Sequence, residues 1–212
     1  MSEKYQVKKI ERGKLIVSGK ADSIFWNKAY IINGLLSPWS ICDGNKTVFK
    51  ALWDDDFFFF AFIANDSDPY IDNTDNSKYS INNSDRIELF FRTNSIMNPY
   101  YCLEIDPTPR IMDFKAKPNK NFDFNWNWPK SDIQVKSSKT NTNFIVEGKI
   151  SIKSLITFNL LIENRLEVGV YRAKYTLNSN SLYEPNWFTW IDPKTKTPNF
   201  HTSSSFGVFI LL

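Results

Sequence analysis

Residues 47–62 read T-V-F-K-A-L-W-D-D-D-F-F-F-F-A-F. Two apolar, aromatic-rich runs flank Asp54, Asp55 and Asp56. Val, Phe and Trp suit a pleated, half-buried surface, and aspartate side chains make the local backbone bonds that a tight turn needs. The pattern predicts a β-hairpin. From Phe57 to Ala64 every residue is apolar. A strand of that kind is expected to be buried on both faces, in the middle of a sheet.

Alternation continues on both sides of the hairpin. Residues 5–10, 14–18, 86–92, 100–106, 110–115, 133–137, 143–151, 166–176 and 206–212 read as strands. Residues 22–29 read as one or two helical turns, with Asp22 as N-cap and Trp26 packing inward, and residues 151–156 as another turn. Residues 65–84 are rich in Asp, Asn and Ser without a period and read as a long loop. Pro185, Pro193 and Pro198 mark turns. With no internal repeat and no linker, these signals predict one domain over residues 1–212. Its class is all-β, an antiparallel, jelly-roll-like β-sandwich with short helical turns.

Composition narrows the function. Hydrophobic residues make up 42% and charged residues 23%, which is enough for a full core. Aromatics reach 16%, an excess that serves either a core or the stacking of rings on a ligand. The net charge of +3 comes from interspersed charges of both signs, unlike the clustered basic face of a nucleic-acid binder. No apolar run approaches the roughly 18 residues of a membrane helix, so no membrane insertion is expected. The first ten residues lack the apolar centre of a signal peptide, so the chain as written is expected to be cytoplasmic, or exported if a signal was trimmed. Cys42 and Cys102 could pair in an oxidising compartment; they form no C-x-x-C metal motif.

Catalytic motifs are absent: there is no G-x-S-x-G, H-E-x-x-H or P-loop, and His201 is the one histidine. Charged strand faces remain. Period two sets Arg86 and Glu88 on one side of their strand, Glu104 and Asp106 on one side of theirs, and Arg172 and Lys174 together on a third. We expect Glu88, Glu104 and Arg172 in one cluster, with Arg172 between the two carboxylates. Such a face is either a solvated surface or a site in which carboxylates and a guanidinium bind hydroxyls while a ring stacks on a C–H face. Two carboxylates also leave a glycoside hydrolase acting through Glu88 and Glu104 open. Asp66, Asp68, Asp72 and Asp75 offer hard oxygens that could take calcium, or form a solvated acidic loop. The loop 65–84 is expected to close over one edge of the site, carrying Tyr79 and Asn82.

Beyond the hairpin, five segments recur in a familiar order. They are I-V-S-G-K-A-D-S-I-F-W (16–26), S-D-R-I-E-L-F-F (84–91), P-Y-Y-C-L-E-I-D-P (99–107), F-I-V-E-G-K-I-S-I-K-S-L (144–155) and F-H-T-S-S-S-F-G-V-F-I-L (200–211). Together they resemble the family 9 carbohydrate-binding module and its stand-alone relatives. The resemblance implies a sugar-binding β-sandwich, in which two tryptophans clamp a sugar and polar strand residues hold its hydroxyls. It also raises structural calcium. The first clamp tryptophan falls at Asn82 and the second at Phe200; the glutamate contact falls at Glu88, and an arginine contact at Glu104, with charge reversed. Tyr79, Trp126 and Trp128 could stand in for the lost ring, and Trp190 matches a structural position. The carbohydrate-binding set is then Tyr79, Asn82, Arg86, Glu88, Glu104, Arg172, Lys174, Phe200 and His201, with Asp66, Asp68 and Asp72 as calcium ligands. Phe200, in a turn, is expected to be part-exposed, or else to plug the sandwich end. Distant relatives on this sandwich carry haem, for which Met97, Met112 and His201 are the available ligands. A structural or protein-interaction domain that binds no sugar is the remaining alternative.

Overall fold

The computed structural model describes residues 3–40 and 46–212. Thirteen strands follow in chain order: β1 (Lys4–Lys9), β2 (Ile32–Asn33), β3 (Thr47–Trp53), β4 (Phe57–Asn65), β5 (Arg86–Arg92), β6 (Tyr100–Ile105), β7 (Ile111–Lys117), β8 (Asn121–Asp123), β9 (Ile133–Lys139), β10 (Asn143–Ser151), β11 (Arg165–Leu177), β12 (Tyr183–Thr189) and β13 (Gly207–Leu211). Two short helices, α1 (Lys78–Asn82) and α2 (Ile152–Thr157), and two single-turn 3₁₀ segments accompany them. Hydrogen bonding runs β8-β7-β6-β5-β11-β13-β1-β3-β4-β10-β9, with β12 on β11 and β2 on β3.

This path folds into two layers at β1. Lys4 to Val7 pair with β13, while Lys8 and Lys9 pair with β3. Both pairings are parallel, a departure from the fully antiparallel sandwich expected; the other strand pairs are antiparallel. β1 therefore closes one edge of each sheet, and that edge cannot recruit a foreign strand.

Period-two alternation sorts residues into three apolar layers. Between the sheets lie Ile87, Leu89 and Phe91 of β5 and Phe58, Phe60 and Phe62 of β4, closed by Phe209. Each such side chain contributes about 1.5–3 kcal/mol on burial. Phe59 and Ala61 face the other way, into a second layer with Leu15, Val17 and Trp26. So β4, lying between β3 and β10, is buried on both faces as expected. Phe90, Tyr100, Tyr171 and Phe200 form the third layer, on the outer face of the β5–β6–β11 sheet. A cavity is built into that layer.

Residues 14–18 are not a strand. The backbone amides of Ser18 and Gly19 donate to the buried Glu147 carboxylate at 2.9 and 2.6 Å, and Trp26 Nε1 donates to the same group at 2.9 Å. A carboxylate thus takes the donors a neighbouring strand would have used. Gly19 is fixed twice over: its φ is +86°, and a Cβ would lie 2.9 Å from the Ser137 backbone. The helical turn after it is a 3₁₀ segment, Ile24–Lys28, capped by Ser23 rather than Asp22; Asp22 accepts from the Ser18 hydroxyl instead. The loop 65–84 ends in α1, whose N-cap is Ser77. Pro185 lies within β12, which pairs with β11 alone, so its missing N–H costs no ladder bond. The proposed cysteine pairing falls on Cys42, outside the described residues; Cys102 is buried on β6.

Candidate functional site

Cross-strand register builds the floor of a cavity on the outer face. In one row, Met112, Glu104, Glu88 and Tyr171 stand side by side on β7, β6, β5 and β11. In the next, Arg86 of β5, Ala173 of β11 and Trp187 of β12 align. Arg86 Nε lies 2.6 Å from Glu104 Oε2 and 3.0 Å from Glu88 Oε1. All three side chains are almost fully buried. A second guanidinium nitrogen donates to the Asn82 carbonyl at 2.6 Å, and the guanidinium lies 5.4 Å from the Trp187 ring centre. Glu88 Oε1 is off the N–H axis of Arg86 and makes no hydrogen bond.

Above this floor is a cavity of about 480 Å³. Phe114, Phe122, Phe124, Trp187, Phe200 and His201 line it, with the Phe122 and His201 rings in contact at 4.8 Å. Lys78, Tyr79 and Asn82 of α1 stand at the rim, so the end of the 65–84 loop does close one edge. Tyr79 is largely exposed.

Burial governs the electrostatics. It pushes the Glu88 carboxyl up to about 8, with Glu104 adding repulsion and Arg86 opposing both. Burial raises Glu104 as well, against the pull of Arg86. Burial disfavours the Arg86 charge too, but the two carboxylates hold that guanidinium firmly protonated. Burial drives His201 down to about 3, and Lys120 and Arg86 add to the shift. Its imidazole is neutral, with Nδ1 3.0 Å from the Tyr100 hydroxyl and its ring stacked on Phe90.

Of the nine residues singled out in the sequence, seven meet here: Tyr79, Asn82, Arg86, Glu88, Glu104, Phe200 and His201. Arg172 and Lys174 do not. Register sets Arg172 opposite Ile87, on the face that points between the sheets. There it donates to Asp66 at 2.6 Å and to the Thr47 hydroxyl at 3.2 Å, and Lys174 pairs with the same Asp66. The cation between Glu88 and Glu104 is therefore Arg86, not Arg172. Phe200 is buried rather than part-exposed. One face of its ring stacks on Tyr171, with centroids 4.1 Å apart, and Trp187 meets it edge-on at 5.5 Å. Trp126 and Trp128 pack in the inter-sheet core and offer no ring to the cavity; Trp190 also packs there, against Phe209.

The three loop aspartates offered as calcium ligands each have partners within the chain. Asp66 is held by Arg172 and Lys174, Asp68 lies 3.6 Å from Lys139, and Asp72 accepts from Thr74 and Asn83. Among the described residues no three acidic, histidine or cysteine side chains converge.

Trp187 is one of the lining residues the sequence reading missed. Its signal was the N-W-F-T-W run, in which alternation sends Trp187 and Phe188 to opposite faces. Phe122 and Phe124 were visible in F-D-F-N-W-N-W-P, but the chain turns after β8 and splits those alternating rings between cavity and core.

A family model described as "Carbohydrate family 9 binding domain-like" matches residues 17–212. No curated protein sequence matches the chain. Among solved structures, one described as "a putative carbohydrate-binding protein" from Bacteroides uniformis ATCC 8492 is similar at TM-score 0.75 and 12% identity, with 100% of each chain covered. A family 9 carbohydrate-binding module from Caldicellulosiruptor kristjanssonii in complex with glucose is similar at TM-score 0.62 and 16% identity, covering 99% of this chain and 96% of that one. The same organism's module in complex with cellotriose gives TM-score 0.60 at 16% identity, covering 99% and 93%.

Proposed function

Because the chain belongs to the carbohydrate family 9 binding domain-like family, we propose that the cavity over Arg86, Glu88 and Glu104 binds a short or terminal glycan without cleaving it. One observation carries this reading. An aromatic-walled cavity ends on a buried floor in which Glu88 Oε1 lacks a hydrogen bond. Sugars present apolar C–H faces and a fringe of hydroxyls, and a site for them pairs rings with a few fixed polar groups. A hydroxyl reaching Glu88 would supply the hydrogen bond its carboxyl lacks. Support comes also from family 9 modules of the same fold that hold glucose and cellotriose.

A hydrolase through Glu88 and Glu104 is disfavoured by the floor itself. A glycosidase holds the scissile bond between its two carboxyls. Here the Arg86 N–H lies between them, within 3.0 Å of both. Calorimetric titration with glucose and cellotriose, with chromatography of the same mixtures after prolonged incubation, tests the proposal. Saturable binding with intact oligosaccharide is the expected outcome. Released glucose would reinstate the hydrolase; no binding of any glycan on a broad array would leave the interaction-domain alternative.

A further inference from the structure

The floor sets two carboxyl groups against one cation. Two buried carboxylates, Glu88 and Glu104, share one guanidinium, and Arg86 commits its Nε hydrogen bond to Glu104. Glu88 lines the cavity although the residue is 1% exposed, and its Oε1, 3.0 Å from Arg86 Nε, makes no hydrogen bond. Its ionisable surroundings are Arg86 on its own strand, Glu104 and Cys102 on β6, Tyr171 and Tyr175 on β11, Lys78 on α1, and His201 with Lys120 beyond it. Few of these supply positive charge. His201 is neutral. The Lys78 ammonium is held by the backbone carbonyls of Asp113, Phe124 and Trp126 and lies 3.4 Å from the Asp113 carboxylate. Lys120 lines a neighbouring hollow with Pro198 and Asn199. Among the described residues, then, Arg86 is the one cation paired with the two glutamates.

We infer that this cavity selects an amino sugar, whose ammonium group pairs with an ionised Glu88 and brings a second positive charge to the floor. The inference rests on the sugar-binding reading of the same cavity and names its substrate class. A buried carboxylate gains most from a partner that is both charged and hydrogen-bonding. Once Glu88 is ionised the floor holds two anions and one cation, and an ammonium there completes two balanced pairs. The walls suit the same ligand. Phe114, Phe122 and Trp187 line the cavity, and aromatic rings attract cations and stack on C–H groups. A uronic acid meets the opposite condition: its carboxylate would join two others in a buried space. Because burial holds Glu88 protonated near neutrality, an ammonium ligand must also displace that proton.

The test compares a β-1,4 trimer of glucosamine, its N-acetylated form and cellotriose by calorimetry at about pH 6, where the amine is charged. The glucosamine trimer should bind at least about tenfold tighter than the other two, as one charge-assisted contact provides. Glu104→Gln and Glu88→Gln should each erase most of that margin. Either substitution could disturb folding, so the wild-type protein is also titrated in two buffers of different ionisation enthalpy. Proton release should accompany the glucosamine trimer alone. Cellotriose binding as well as the glucosamine trimer, or equal heats in both buffers, would overturn the amino-sugar inference and leave the sugar site standing. Failure of all three to bind, while a glycan array finds no other ligand, would remove both.

Discussion

Phe200 and Trp187 lie against each other, yet they should behave differently when truncated. Phe200 is buried with its ring stacked on Tyr171, whose hydroxyl bonds the Ser205 hydroxyl at 2.7 Å. Phe200→Ala opens a hole in a packed layer and should lower stability by about 3–5 kcal/mol, read as an earlier urea midpoint. Trp187 is half-buried, on a strand that pairs on one side only. Trp187→Ala should cost less in stability and more in binding, roughly tenfold in glycan affinity, the worth of one stacking contact. Equal affinity of Trp187→Ala and wild type for a bound glycan would remove that ring from the site. The exchange of roles could not be read from composition. The sequence offers 34 aromatic residues in all (18 Phe, 9 Tyr, 7 Trp), and only register tells a cavity ring from a plug.

At the level of elements, β5 carries the site and half the core on alternate positions. Ile87, Leu89 and Phe91 point between the sheets, and Arg86, Glu88 and Phe90 point outward. That division was legible, because a strand's period is fixed at two. The pairing offset between β5 and β11 was not. Shifting a partner by one residue exchanges its faces, which is why Arg172 turned up beside Asp66 rather than beside Glu88. The hairpin β3–β4 was legible because three aspartates interrupt two apolar runs; β12 was not, because Pro185 reads as a turn in any strand that is not at an edge. The Asp66–Arg172 pair gives one of the loop's aspartates a partner in the core. Burial opposes the Asp66 charge, but Lys174 and Arg172 hold its carboxyl below the usual range. Asp66→Asn leaves a buried guanidinium short of its counter-charge and should destabilise the fold by about 3–5 kcal/mol. Millimolar calcium or a chelator should leave the melting temperature of the wild type unchanged. A rise with calcium that a chelator reverses would restore the metal reading of Asp66, Asp68 and Asp72.

Across the whole molecule, the buried ionisable groups set opposite limits on stability as pH changes. His201 has its folded-state value depressed from 6.5 to about 3 by burial, so folding expels its proton. Its contribution is present above about 6.5 and is lost as pH falls toward 3. Glu88 is the reverse. Burial and Glu104 raise it from 4.5 to about 8, so folding takes up a proton. The protonated form stabilises the fold below the unfolded value of 4.5, and that advantage drains away as pH rises to about 8. Asp85, buried and raised from 3.8 to about 7, follows Glu88 over a lower window. The limits overlap between 4.5 and 6.5, where the histidine and the carboxyls work against each other. Between about 7 and 8 the Glu88 window stands alone among these three. Stability should therefore fall as pH rises from 7 to 8 in the free protein, seen as a decline in melting temperature. Glu88→Gln, which cannot ionise, should flatten that decline while leaving the acid limb of His201 in place. An unchanged slope in the variant would mean that Glu88 is ionised throughout and that Arg86 balances both carboxylates without help.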